Sequence, residues 1–137
     1  MKDLFKIDFE FLGNRVQIQV MLYNKLTDAR EFTGNKDYDN DACFCVIAGD
    51  RQTYILLQAD NFDKVYVYSH ELLHAVKYYL IDRYNIEDEE CECYMLGYLM
   101  QIYTDFLAIH MKQEAEEQAE PVYNDYYKKR SEYDNFK

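Results

Sequence analysis

The hydrophobic pattern of this chain changes period once, near Asp63, and the change restricts the folds that the chain can adopt. Before Asp63, apolar and polar residues alternate with a period of two, which is typical of β-strands. Beyond it, apolar residues recur every three to four positions, which indicates amphipathic helices. Strands followed by helices, in a chain of 137 residues with room for one core, predict a single α+β domain.

Two β-hairpins are predicted from the alternating segments, with one helical turn between them. Each hairpin has two alternating strands around a short turn that contains glycine. The hairpin strands are 4–11 with 15–22, and 42–48 with 53–58; the helical turn is 27–32. Together the hairpins indicate a small antiparallel or mixed sheet.

Two main helices are predicted to pack on this sheet. The first runs from Asp63 to about Tyr84. The second has Asn85 as its N-cap and an acidic first turn, which suits the helix dipole, and it ends near Glu116. Because the second helix is apolar on most sides as far as Leu107, it is predicted to be central and largely buried.

The last part of the chain differs from the rest in composition. Residues 119–137 are rich in acidic residues and tyrosine, and they contain too few aliphatic residues for a core segment. They are interpreted as a polar tail that is flexible or bound to a partner. The α+β domain is therefore predicted to span residues 1–118.

The chain is strongly acidic, with a formal net charge of −11 and a pI near 4.6. Because nucleic-acid backbones and anionic membranes require a basic surface, neither is expected as a partner. The N-terminus lacks the continuous apolar stretch of a signal peptide, and the sequence has no apolar run long enough to span a membrane. A cytoplasmic protein is therefore expected.

Residues 70 to 74 read His-Glu-Leu-Leu-His, which is the HExxH spacing. On a helix, positions four apart share one face, so His70 and His74 can turn ring nitrogens toward one zinc ion. Glu71 lies beside them, where a carboxylate can take the proton from a zinc-bound water. The motif predicts Zn²⁺ bound by the two histidines, with Glu71 as the catalytic base.

A hydrolytic zinc site needs a third protein ligand, and the sequence offers several. His110 lies about 30 Å along the second helix from Glu90, at about 1.5 Å per residue. A carboxylate from the acidic first turn is therefore the better candidate. The residues considered are Glu87, Asp88, Glu89, Glu90, Glu92 and His110.

The run SHELLHAVKYYL, followed by EECECYMLGYL, resembles the small gluzincin-type metallopeptidase-like proteins that many tailed phages and prophages encode. The resemblance covers roughly residues 42–109 and implies a minimal zincin fold, with the second hairpin as the sheet edge over the cleft. It implies Glu90 as the third zinc ligand and a peptide or protein as the substrate. It also implies other phage virion proteins or host proteins as partners, in the host cytoplasm or the virion.

This sequence departs from the family pattern in the second helix. Tyr94 stands where larger gluzincins often have an acid that orients a histidine. Cys91 and Cys93 stand where the family prefers alanine. Such small side chains, together with Gly97, would let the two helices approach each other closely.

The helical wheel leaves Glu89 open as an alternative to Glu90, and Glu92 as a more distant one. Glu90 lies on the most polar stripe of the second helix, and Glu89 lies on a more apolar one. Glu90 shares its stripe with Tyr94, Gly97, Gln101 and Asp105. Glu89 shares its stripe with Cys93, Leu96 and Met100. If the polar stripe faces solvent, Glu89 is the ligand.

Four cysteines occur as two pairs, Cys43 with Cys45 and Cys91 with Cys93. One residue between paired cysteines is fewer than structural zinc sites favour. The four are therefore interpreted as small buried side chains rather than as a second zinc site.

The sequence favours a zinc-dependent hydrolase, in the first place a metallopeptidase. Two other classes stay open. One is a catalytically silent phage structural or accessory protein that keeps the zincin fold, and the other is an acidic module that binds a host protein. Fold class alone does not separate the three.

Overall fold

The computed structural model describes residues 1–47, 49 and 51–134, with side chains as far as residue 117. The elements of this part are β1 (Lys2–Phe11), β2 (Asn14–Tyr23), α1 (Leu26–Thr33), β3 (Ala42–Ile47), β4 (Gln52–Gln58), α2 (Val65–Lys77), a π-helix (Tyr78–Arg83) and α3 (Glu89–Asp134). Both hairpins, the helical turn and the α+β class are confirmed. Ala48 and Asp50, in the predicted second hairpin, lie outside the described residues.

The strands of the described part form one mixed sheet in the order β1-β2-β4-β3. β1 pairs with β2, and β3 with β4, in the antiparallel manner of hairpins, whereas β2 and β4 are parallel. Helix α1 and strand β3 separate β2 from β4 in the sequence, which leaves room for this parallel crossover. Strand β3 is therefore an edge strand of the sheet.

The two faces of the sheet contribute to different cores. One face bears the fully buried side chains of Ile18, Val20 and Ile55, and it is the face that Tyr79 reaches from the π-helix. Helix α1 covers the other face. The buried cluster on that side consists of Tyr23, Ala29, Tyr38 and Leu56. Because side chains alternate along a strand, β4 supplies both cores.

A π-helix follows α2 directly and anchors it to the sheet. Its wide turn is marked by the bond from the Tyr84 N–H to the Tyr79 carbonyl, over 3.2 Å. The buried Tyr79 hydroxyl lies 2.9 Å from Thr53 Oγ1 and donates to the Gln17 carbonyl over 2.7 Å. One phenol thus joins the end of α2 to both β4 and β2.

Helix α3 begins later than the sequence predicts. Asn85 has a left-handed backbone with φ 55°, which asparagine tolerates, and it follows the end of the π-helix. The N-cap of α3 is Asp88, whose Oδ1 accepts a hydrogen bond from the Cys91 N–H over 3.0 Å. The prediction of Asn85 as the N-cap is therefore wrong.

Helix α3 is amphipathic rather than central. In the part that belongs with the sheet, Met95 and Leu99 are buried, whereas Tyr94 and Tyr98 are 64% and 54% exposed. The prediction of a largely buried helix is wrong because it counts tyrosine as apolar. A tyrosine can lay its ring on the surface while its hydroxyl stays in water.

The chain divides into two compact units, Met1–Ile102 and Tyr103–Lys137, and α3 contributes to both. The sheet, α2 and the π-helix belong to the first unit. In the second unit, α3 continues beyond the predicted end near Glu116, so that prediction is wrong. The side chains of the predicted tail, 119–137, lie outside the described residues, so the boundary after residue 118 stays a prediction.

Replacing Tyr79 by phenylalanine should lower the free energy of unfolding by about 1–3 kcal/mol, because buried polar groups lose a hydrogen-bond partner. Urea unfolding followed by circular dichroism measures the loss. Tyr84→Phe is the matched control, since the Tyr84 hydroxyl also donates to a carbonyl, that of Arg15, but at an exposed position. Equal losses in the two variants would contradict the anchoring role of Tyr79.

Asp8 and Arg15 form an ion pair across the first hairpin, with 2.9 Å between Oδ2 and Nη2. Hydrogen bonds, first from Arg15 and then from Gln17, lower the pKa of Asp8 from 3.8 to about 2. The pair therefore stabilises the folded state fully above pH 3.8, and this contribution is lost as the pH falls toward 2. Asp8→Asn should flatten the pH dependence of the melting temperature in that window, and an unchanged slope would count against this account.

Candidate metal centre

The three ionisable residues of the HELLH motif all lie on α2 but on two different sides of it. Glu71 belongs to the buried stripe, between Val67 and Ala75, and is only 6% exposed. His70 and His74 lie on the exposed side, because positions four apart on a helix share a face. The motif therefore presents two accessible imidazoles beside one buried carboxylate.

The two histidine rings converge on one point. His70 Nε2 and His74 Nε2 are 3.1 Å apart, and the ring centroids are 4.8 Å apart. Two nitrogen ligands of a tetrahedral zinc, each about 2.0–2.1 Å from the ion, lie about 3.3 Å from each other. The spacing of the two nitrogen atoms therefore fits one zinc ion with little movement of either ring.

The Glu71 carboxylate is held by the sheet. It accepts a hydrogen bond from the backbone N–H of Phe44 in β3, and its Oε1 lies 4.0 Å from His70 Nε2. Burial raises the pKa of Glu71, and the nearby His74 and His70, with the Phe44 bond, offset part of that rise. A carboxylate with a raised pKa beside two imidazoles is well placed to accept a proton.

A cleft of about 640 Å³ lies between α2 and the start of β3. His70, Glu71 and His74 line it from the helix. On the strand side it is lined by residues 40–44, and the Phe44 ring lies 5.5 Å from the ring of Tyr78. The cleft is therefore bounded by the HELLH face on one side and by the sheet edge on the other.

Strand β3 turns one row of main-chain groups toward its open edge. The Gln58 N–H donates to the Asp41 carbonyl over 2.8 Å, so the odd-numbered residues of β3 face β4. The main-chain groups of Ala42, Phe44 and Val46 consequently point away from β4, which agrees with the bond from Phe44 to Glu71. An extended peptide can add to such an edge as a further strand.

The structure does not bring Glu90 to the histidine pair. Glu90 and Glu89 are both exposed in the first turn of α3, and the stripe that Glu90 shares with Tyr94 and Gly97 faces solvent. A Cβ added to Gly97 would meet no atom within 4 Å. Because Cys93 is exposed as well, the expectation that Cys93 and Gly97 allow close helix packing is wrong.

Glu92 is the acid of this turn that contacts α2. Its Oε2 lies 2.9 Å from Nζ of Lys77, a cleft residue one turn beyond His74, and its side chain is 21% exposed. Within the described residues, no set of three or more His, Cys, Asp or Glu side chains is arranged to hold a metal ion. The choice of the third ligand among Glu89, Glu90 and Glu92 therefore stays a prediction.

The other acidic and histidine candidates lie elsewhere. Asp88 caps α3, and Glu87 is exposed before it. His110 belongs to the second unit, where its Nε2 lies 3.2 Å from Glu114 Oε1 and its ring stacks on Phe106.

The four cysteines are free thiols. Cys43 and Cys45 are half-buried and pack against the cluster on the α1 side of the sheet. Cys91 is half-buried and Cys93 is exposed. The interpretation as small buried side chains therefore holds in part for three of them and is wrong for Cys93.

Comparison of the chain with models of known protein families, with curated proteins and with solved structures finds no match. The resemblance to small phage metallopeptidase-like proteins therefore rests on the sequence motifs alone. In the part of the chain that is described, no helix combines the length and the apolar composition needed to cross a bilayer.

Several cleft residues were not singled out from the sequence. Tyr66 and Tyr78 lie four positions before His70 and four after His74, so the helical period could have indicated them. Asp82 lies one further turn along. Asp41 reaches the cleft only because β3 packs beside α2, and no local pattern predicts that contact.

Protein dialysed against zinc should retain roughly one ion per chain, as measured by elemental analysis. His70→Ala and His74→Ala should each lose it, because a single imidazole holds zinc weakly. His110→Ala is the matched control and should keep the ion, since His110 has partners within the second unit. Full zinc retention by His70→Ala would contradict the assignment.

The same measurement identifies the third ligand. Among Glu89→Gln, Glu90→Gln and Glu92→Gln, the variant with the largest loss of zinc affinity marks it, because a neutral amide oxygen is a weaker ligand than a carboxylate.

Proposed function

We propose that this protein is a zinc-dependent hydrolase, a metallopeptidase of the HExxH type, with His70 and His74 as zinc ligands and Glu71 as the catalytic base. One observation supports this most directly: the two Nε2 atoms converge to 3.1 Å in a cleft, beside a carboxylate that is buried and fixed. The third ligand would come from the acidic first turn of α3, with Glu89, Glu90 and Glu92 as the candidates.

The residues of the cleft would divide the chemistry among them. Zinc, when bound, supplies the Lewis acidity that makes water a nucleophile near neutral pH. Glu71 takes one proton from that water, and the water oxygen forms its bond to the carbonyl carbon of the peptide. Glu71 then gives the proton to the amine nitrogen as the C–N bond breaks. The Phe44 N–H would favour the charged form of the Glu71 carboxylate, which is the form that accepts the proton.

The substrate would be an extended peptide or protein segment. The main-chain groups of Ala42 and the carbonyl of Phe44 point to the open edge of the sheet beside the cleft, and they offer a strand-like partner for such a segment. Strand addition fixes the direction of the peptide relative to Glu71. It does not depend on particular substrate side chains, because it uses backbone hydrogen bonds.

Glu71→Gln should leave zinc bound and lower peptide cleavage by at least about 10²-fold, because an amide cannot accept the proton from water. Mass spectrometry of a digested peptide library measures cleavage, and elemental analysis measures zinc. Glu31→Gln, an exposed change on α1, is the matched control and should cleave like the wild type.

Each outcome of this experiment has a distinct meaning. Cleavage retained by Glu71→Gln would remove Glu71 from its catalytic role. A wild-type protein that holds zinc and cleaves nothing would instead favour a catalytically silent accessory protein. A wild-type protein that holds no zinc would overturn the proposal.

A further inference from the structure

The cleft beside the HELLH residues has an unbalanced charge. Asp41 and Asp82 are exposed along its lining, and Glu71 adds a buried carboxylate. Lys77 is the basic side chain of the lining, and its Nζ is already paired with Glu92 over 2.9 Å. The positive charge that the metal-free cleft could offer to a ligand is therefore largely neutralised, while the exposed carboxylates stay available to solvent.

Aromatic rings line the same cleft as these carboxylates. Tyr66 is 71% exposed and lines the cleft one helical turn before His70. At the wall formed by β3, the Phe44 ring lies 5.5 Å from the ring of Tyr78, and both residues line the same cleft. Rings attract cations to their faces, and the attraction increases where a carboxylate contributes as well.

We propose that this cleft selects peptide segments that carry a lysine or arginine side chain next to the bond to be cleaved. The inference rests on the proposed peptidase function and adds the substrate class. The cationic head group would lie against the Tyr66 ring or the Phe44–Tyr78 pair, with Asp41 and Asp82 supplying opposite charge. The alkyl stem of such a side chain would cover the aromatic surface.

The rest of the molecule favours the same class of ligand. The chain has a formal net charge of −11, so a basic segment is attracted at long range and an acidic one is repelled. In the metal-free protein, an acidic side chain in the cleft would face Asp41 and Asp82, while the Lys77 ammonium is already paired with Glu92. A neutral apolar side chain could use the rings but would gain nothing from the carboxylates.

Two short fluorescent peptides that differ only at their central residue, lysine against glutamate, test the proposal. Binding is measured by fluorescence anisotropy with the metal-free wild type and with zinc-loaded Glu71→Gln, so no cleavage is needed. The lysine peptide should bind about tenfold more tightly than the glutamate peptide, because it gains one exposed cation–π contact and one exposed ion pair. The Asp41→Asn/Asp82→Asn double variant should reduce the preference to about two- to fivefold, because the ion-pair contribution is removed and the cation–π contact remains.

The matched control is Asp3→Asn/Glu31→Gln, which removes the same two charges outside the cleft and should keep the preference. The proposal would be overturned by equal binding of the two peptides or by no binding of either. It would also be overturned by an unchanged preference in the Asp41→Asn/Asp82→Asn variant. A preference lost equally in the control would show attraction by net charge only, and would overturn it too. Failure of the peptidase proposal itself would be seen in zinc content and cleavage, not in these binding constants.

Discussion

The burial of Glu71 on the sheet side of α2, beside the Phe44 N–H of β3, is the constraint on which the rest of the site depends. Glu71 lies in the buried stripe of α2, where an unpartnered carboxylate would be costly. Its partner comes from the open edge of β3, because the alternation of that strand turns the Phe44 N–H away from β4. With Val67, Glu71 and Ala75 all buried, this stripe of α2 faces the sheet. His70 and His74 must then face the cleft.

A second contact fixes the far end of the same helix. The Tyr79 hydroxyl binds Thr53 and Gln17, so the π-helix is held on β4 and β2. The four-residue spacing of α2 continues into the π-helix: Tyr79 enters the core four positions after the buried Ala75, while Tyr78 lies against Phe44 at the cleft. The segment that bears the HELLH residues is thus tied to the sheet at two points, which fixes the helix face from which His70 and His74 project.

Much of the scaffold could be predicted from the sequence because it depends on local periodicity. Alternation gave both hairpins, and the four-residue spacing of His70 and His74 gave their common helix face. The π-helix was missed because it differs from an α-helix by a wider turn, not by its hydrophobic pattern. The burial of α3 was overestimated because Tyr94 and Tyr98 expose much of their surface to water. The third ligand could not be predicted from the sequence, since its identity depends on how α3 approaches α2. The Lys77–Glu92 ion pair is the contact that informs this approach.

The central claim is that the two histidines of α2 bind one zinc ion. X-ray absorption at the zinc edge tests it most directly on the zinc-loaded full chain. Zinc bound by His70 and His74 should give a shell of nitrogen and oxygen atoms at about 2.0–2.1 Å, with the multiple scattering of two imidazoles and no sulfur. A sulfur shell at about 2.3 Å, which would assign the ion to the cysteines, or a spectrum without imidazole scattering would contradict it.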